Sequence, residues 1–178
     1  MKGRRRAGAA LIFSLFFCLL CPAKSALAAQ EMKVIDLKGR NIYFEVPVFL
    51  PPESVEGNEG EGAVVFGNRT ERGMFERLFA VYWGKESKET MSLFPAGQYK
   101  LFSETPAAVE DKDVNGHAAD FSKGVVKITR PCGQVSDGSM LICRFYCPET
   151  KRHFLFLDLL DTVTDREFVG IVKSFKCH

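Results

Sequence analysis

Residues 124–147, GVVKITRPCGQVSDGSMLICRFYC, decide how the rest of this chain is read. The two ends of the stretch, 124–131 and 140–146, are rich in β-branched and apolar residues and read as strands. Between them stands Asp137-Gly138, a favoured two-residue type I′ hairpin loop. With that turn, Cys132 faces Cys143 across an antiparallel ladder. The pair falls at a hydrogen-bonded position, where Cα atoms lie farther apart yet within disulfide reach.

Working outward, the strand-like runs continue on both sides. Residues 32–37 lead through Lys38-Gly39-Arg40-Asn41 into the alternating run 42–46, a hairpin pattern. Residues 63–67 (AVVFG) form a short buried strand. In 74–83 a helical stripe competes with an aromatic and β-branched run; the bracketing Gly73 and Gly84 favour a strand for the second half. Residues 85–93 have helix-forming composition, 99–109 are irregular, and 118–121, 124–129 and 153–160 are further strands. The chain then reaches a capping box, with Thr164 at the N-cap and Glu167 three residues on. Phe168, Ile171, Val172 and Phe175 follow at i, i+3, i+4 and i+7, a single apolar helix face. The expectation is a single α+β domain over 29–178: an antiparallel sheet with helices packed on one side, the C-terminal helix docked on the sheet, stabilised by disulfides. Residues 51–62 (PPESVEGNEGEG) carry too little apolar surface to bury and are expected as a mobile acidic loop. Their glutamates lack the ligand spacing of an EF-hand.

The first 28 residues read as a cleavable signal peptide. Lys2, Arg4, Arg5 and Arg6 make the positive n-region, 7–20 an apolar h-region, and Ala26-Leu27-Ala28 the A-x-A cleavage pattern. The apolar run falls short of the ~20 residues that span a bilayer. Removing five cations and no acid lowers the formal charge from +2 to −3. A mildly acidic mature chain without a basic stripe excludes nucleic acid as the expected partner. It also holds no transmembrane segment. The expected location is the periplasm or the extracellular space of a bacterium.

Of six cysteines, Cys18 and Cys21 leave with the signal peptide. Cys132, Cys143, Cys147 and Cys177 remain, an even number in an exported chain, and point to disulfides with three possible connectivities. The hairpin register selects Cys132–Cys143 and leaves Cys147–Cys177, whose loop would be worth ~3 kcal/mol or more on the chain-entropy account. A four-thiolate metal site is disfavoured: Cys143 and Cys147 lie ~13 Å apart along one strand face.

Three short motifs carry a family resemblance: Phe44-Glu45-Val46-Pro47, Val114-Asn115-Gly116-His117-Ala118-Ala119, and the closing Phe168-Val169-Gly170-Ile171-Val172-Lys173-Ser174-Phe175. In their order the chain resembles the Mog1/PsbP-like fold. The resemblance implies an accessory or binding module rather than an enzyme: PsbP is an extrinsic subunit of the oxygen-evolving photosystem, and Mog1 binds a small GTPase. No site residue carries over, because the matching positions are structural, and fold analogy does not fix function.

Catalytic spacing is not found. None of His117, His153 and His178 has a companion at i+4, and no nucleophile elbow or phosphate-binding glycine loop appears. Asp158 and Asp161 lack glycosidase geometry. Asn68-Arg69-Thr70 is a glycosylation sequon, relevant only in a eukaryotic host. The aromatics Phe66, Phe75, Phe79, Tyr82 and Trp83 read as core before they read as a ligand groove. The expected function is therefore an exported, non-catalytic binding or accessory protein of the cell envelope, with a protein or small-molecule partner and no cofactor. The alternative is a secreted hydrolase with a site around His117 or His153.

Overall fold

The computed structural model describes residues 31–50, 52–69, 75–85, 99–129 and 133–178. Ten strands and one helix follow in chain order: β1 (Met32–Leu37), β2 (Ile42–Pro47), β3 (Pro52–Gly57), β4 (Gly62–Arg69), β5 (Phe75–Gly84), β6 (Tyr99–Pro106), β7 (Asp113–Val114), β8 (His117–Thr129), β9 (Val135–Cys147), β10 (Arg152–Leu159) and α1 (Asp165–Lys173). Strands β1 and β2 form a separate hairpin; the large antiparallel sheet runs β3-β4-β5-β10-β9-β8-β6, with β7 paired to β8.

The strand content corrects the expected fold class. Strand accounts for 63% and helix for 7% of the described residues, with one short helix rather than several helices packed on the sheet. The segments expected as irregular or looped are paired. Residues 99–106 make edge strand β6, and Pro52–Gly57 of the supposed acidic loop pairs with β4 as β3. Edge strands tolerate such compositions, because one side faces solvent and one ladder supplies half the hydrogen bonds. The expected helix at 85–93 falls almost wholly outside the described residues.

The turn that anchored the sequence reading lies elsewhere. In the β8–β9 ladder Phe121 opposes Cys143 and Thr129 opposes Val135, so the connection falls at 130–134 and Asp137-Gly138 sits inside β9. A tight type I′ loop does occur, at Asn115-Gly116 between β7 and β8. Both residues have positive φ, 50° and 86°, as that turn requires. Phe121 fills the place across from Cys143 that Cys132 was expected to take, while Cys132 itself lies outside the described residues. Among the described residues no disulfide forms: Cys143, Cys147 and Cys177 are free thiols.

Both faces of the sheet are apolar. One carries an aromatic cluster in which the β1–β2 hairpin and α1 pack against Phe66, Phe79, Phe145, Phe154 and Phe156. Rings of Phe44, Phe145, Phe154 and Phe156 surround Phe175 at centroid distances of 4.7–6.1 Å, mostly edge to face, as aromatic quadrupoles prefer. The opposite face gathers aliphatic residues of β8, β9 and β10 such as Val126, Ile142 and Leu157. Strand β8 serves both faces: Ala119 and Phe121 belong to the first cluster, Val126 and Ile128 to the second.

Candidate functional site

Two places combine buried walls with polar groups. The first is a cleft beside α1. The helix starts where the capping box forms: Glu167 N donates to Thr164 Oγ1, and Thr164 N to Glu167 Oε2. Opposite it runs the segment 107–112, held to β8 by Ala107 N donating to Phe121 O at 2.8 Å and Ala119 N to Lys112 O at 2.7 Å. Between them opens a cavity of about 470 Å³ walled by Ala107, Val109, Phe121, Leu141, Phe168 and Val169. Ion pairs Lys123–Asp165, at 2.6 Å, and Lys173–Asp111 border it. Both are largely solvated and add little stability. Buried Ser122 supplies a polar wall and donates to Glu104 Oε1 at 2.5 Å. The Arg144 fork hydrogen-bonds the same carboxylate and holds its pKa below the usual range.

The second is a cluster of His117, Cys147, Cys177 and His178, where one donor atom from each lies within 4.8 Å of the other three. His117 is the first residue of β8, set by the Asn115-Gly116 turn; its ring stacks on Phe145 at 5.9 Å and is buried. Cys147 ends β9 on the aromatic face. Cys177 and His178 follow α1 on a segment that pairs with β2 through Tyr43 N to Lys176 O and Lys176 N to Tyr43 O. The guanidinium of Arg152, 2% exposed, also holds this segment. Its Nη1 donates to Arg40 O and Glu59 O at 2.7 and 2.8 Å, and Nη2 to Cys177 O at 3.4 Å. Arg152 stands directly across from Cys147 in the β9–β10 ladder.

Within the cluster, His117 Nε2 is 3.4 Å from Cys177 Sγ, and His178 Nδ1 is 3.5 Å from Cys177 Sγ and 3.7 Å from Cys147 Sγ. The Cys147 thiol donates to Glu149 Oε2 at 3.4 Å. Burial pushes the Cys177 thiol pKa up, and neighbouring Cys147 adds to this. The protein alone therefore holds it as a thiol, not as a nucleophilic thiolate.

The other sequence candidates scatter. His153 is half-buried with its ring 4.7 Å from that of Tyr146, outside both sites. Cys143 is buried mid-strand, and Asp158 is buried near the end of β10, where its carboxylate accepts from Thr162 N of the following turn. Phe66, Phe79, Tyr82 and Trp83 are core, with Tyr82 on the opposite face of the sheet from the other three. The cluster was hidden from the sequence because its ligand-type residues are about 30 positions apart. The adjacent Cys177-His178 was the one local sign.

No family model matches the chain, and no curated protein matches it. Among solved structures it is similar to the Ran-binding protein Mog1p of Saccharomyces cerevisiae, with 11% identity over 84% of this chain and 96% of the other and a TM-score of 0.41. A Mog1 point mutant gives 12% identity over 83% and 96%, with the same TM-score. These are members of the fold family that the sequence motifs resemble; a likeness at this level transfers no function. Among the described residues no helix is long and apolar enough to cross a membrane.

Proposed function

We propose that the chain is exported by removal of residues 1–28 and acts as a non-catalytic binding protein whose small, largely apolar ligand occupies the cleft beside α1. The observation that carries this reading is the cavity of about 470 Å³ with apolar walls and a few polar groups at its border. Its size and lining match small-molecule sites, which span roughly 300–1,000 Å³. Three walls come from strand and helix residues, Phe121, Leu141 and Phe168, so that part of the cleft is formed before a ligand arrives. Nothing at His117 or His153 favours the hydrolase alternative: His117 faces a ring and two buried thiols, and His153 packs beside Tyr146.

The test is titration of the mature chain, residues 29–178, with the fluorescent probe anilinonaphthalene sulfonate, followed by competition with apolar carboxylates and amines. Val169→Trp fills the cleft from the helix side and is expected to weaken probe binding about tenfold, equivalent to about 1.4 kcal/mol. Unchanged binding by a variant with a native circular-dichroism spectrum removes the cleft as the site. For export, the intact mass of the secreted protein should match residues 29–178; a mass retaining the first 28 refutes cleavage.

A further inference from the structure

We propose that His117, Cys147, Cys177 and His178 are the four ligands of a tetrahedral S2N2 site for a zinc-class divalent ion. The proposal is independent of the ligand cleft, which runs beside α1 and shares no lining residue with the cluster.

The distances come first. A tetrahedral zinc ion with Zn–S of about 2.3 Å and Zn–N of about 2.05 Å requires N···S edges of about 3.6 Å. Three of the four N···S separations in the cluster are 3.4, 3.5 and 3.7 Å, and all four donor atoms fall within 4.8 Å of one another. Both imidazoles converge on Cys177 Sγ, a thiol with one proton to give, while Cys147 already donates to Glu149. Three of the six edges of the tetrahedron thus match, and the other three are bounded at 4.8 Å.

Chemistry and burial agree with the distances. Cysteine thiolate and imidazole are the ligands of structural zinc sites. Two thiolates and one divalent ion make a neutral unit, which can be buried where separate charges cannot. His117, Cys147 and Cys177 are buried, whereas His178 is exposed, so an ion can enter from the His178 side. Metal binding must release two protons, one from each thiol; Glu149, already accepting from Cys147, can pass one to solvent, and the other leaves by the exposed His178 side.

The ligands are also set in advance by backbone that does not depend on them. The Asn115-Gly116 turn places His117, the β9–β10 ladder places Cys147, and the Tyr43–Lys176 pairing with the Arg152 fork places Cys177 and His178. With four protein ligands and no open position, the site is structural in type. It would fasten the segment after α1 to the end of the sheet.

The experiment uses the mature chain purified under reducing conditions, stripped with chelator and titrated with Co²⁺ and Zn²⁺. One equivalent of Co²⁺ should give thiolate charge-transfer bands and the intense d–d bands of a tetrahedral S2N2 ion, displaced by one equivalent of Zn²⁺. Cys147→Ser and Cys177→Ser should each weaken binding by roughly 100-fold or more, while Cys143→Ser, on the same strand face but outside the cluster, leaves stoichiometry and bands unchanged. Should the cysteine variants fail to fold, His178→Ala, exposed and carried on a chain end of the fold, supplies the same reading through loss of the tetrahedral bands. Bound Zn²⁺ should also protect Cys147 and Cys177, in the unaltered protein, from iodoacetamide. Free thiols with no cobalt spectrum overturn the proposal. So does a Cys147–Cys177 cross-link in protein isolated without reductant, or a loss of binding in Cys143→Ser equal to that in Cys147→Ser.

Discussion

The two ends of α1 are held in opposite ways. At its start the chain arrives through Leu160 and Asp161, both at positive φ, and is secured by side chains: the Thr164–Glu167 capping box, the surface pair Lys123–Asp165, and Asp158 accepting from Thr162 N and Val163 N at 3.1 and 3.3 Å. At its end backbone and rings take over. Ser174 Oγ accepts from Glu45 N at 2.8 Å, Asn115 donates to Phe175 O, Lys176 pairs with Tyr43, and four rings enclose Phe175. The cleft runs along the helix from Asp165 to Lys173, and the rigid end leads on to the Cys–His cluster. An adaptable surface suits a ligand of variable shape, whereas fixed ligand geometry suits an ion.

The sharpest way to break the rigid end is Phe175→Ala. Removing a fully buried ring from the aromatic cluster should cost about 3–5 kcal/mol in urea unfolding, and should also disorder the neighbouring cluster, seen as weakened cobalt binding. An effect below about 1 kcal/mol would mean that the C-terminal segment is not anchored by that ring.

The start of the helix should instead answer to pH. Burial pushes the Asp158 carboxyl up to about 7, against the two backbone amides that favour its anion; nearby Asp161 raises it further. The folded state thus binds a proton that the unfolded chain, with a pKa near 3.9, releases earlier. The resulting stability is full below about pH 4 and is lost as pH rises through about 7. Between pH 5 and pH 8 the wild type should lose about 2 kcal/mol more than Asp158→Asn in parallel denaturant titrations. Equal slopes for the two proteins would show that Asp158 ionises normally.

Thr164→Ala removes the cap and should destabilise by about 1 kcal/mol. Asp165→Ala breaks only an exposed ion pair and should change stability by less than about 0.5 kcal/mol, even though both residues sit in the same turn. If the second matched the first in thermal unfolding, the exposed pair would be more important to the helix start than its solvation suggests.

What was legible in the sequence was local. The β1–β2 hairpin and the capping box announce themselves within a dozen residues, through alternation and through Thr164 and Glu167. The β8–β9 register was not, because Asp137-Gly138 is a good turn signal that the ladder overrides, pairing both residues inside β9 with Lys127 and Val126. Strands β3 and β6 were missed for a related reason: Pro52–Gly57 and Tyr99–Pro106 lack strand composition and are recruited as edges by β4 and β8. The four donors of the Cys–His cluster come from three separate segments, so no spacing rule reaches them. The disulfide expectation rested on a register in which Cys132 opposes Cys143, the place that Phe121 takes in the β8–β9 ladder.

The Arg152 fork has a kinetic consequence. Its acceptors lie 112, 93 and 25 residues away in the chain, so no local folding event can assemble them. They meet only after both N-terminal hairpins have found the central sheet, a search whose entropy cost must be met before any of these bonds forms. If the fork closes after the folding barrier, Arg152→Lys speeds unfolding and leaves the folding rate unchanged.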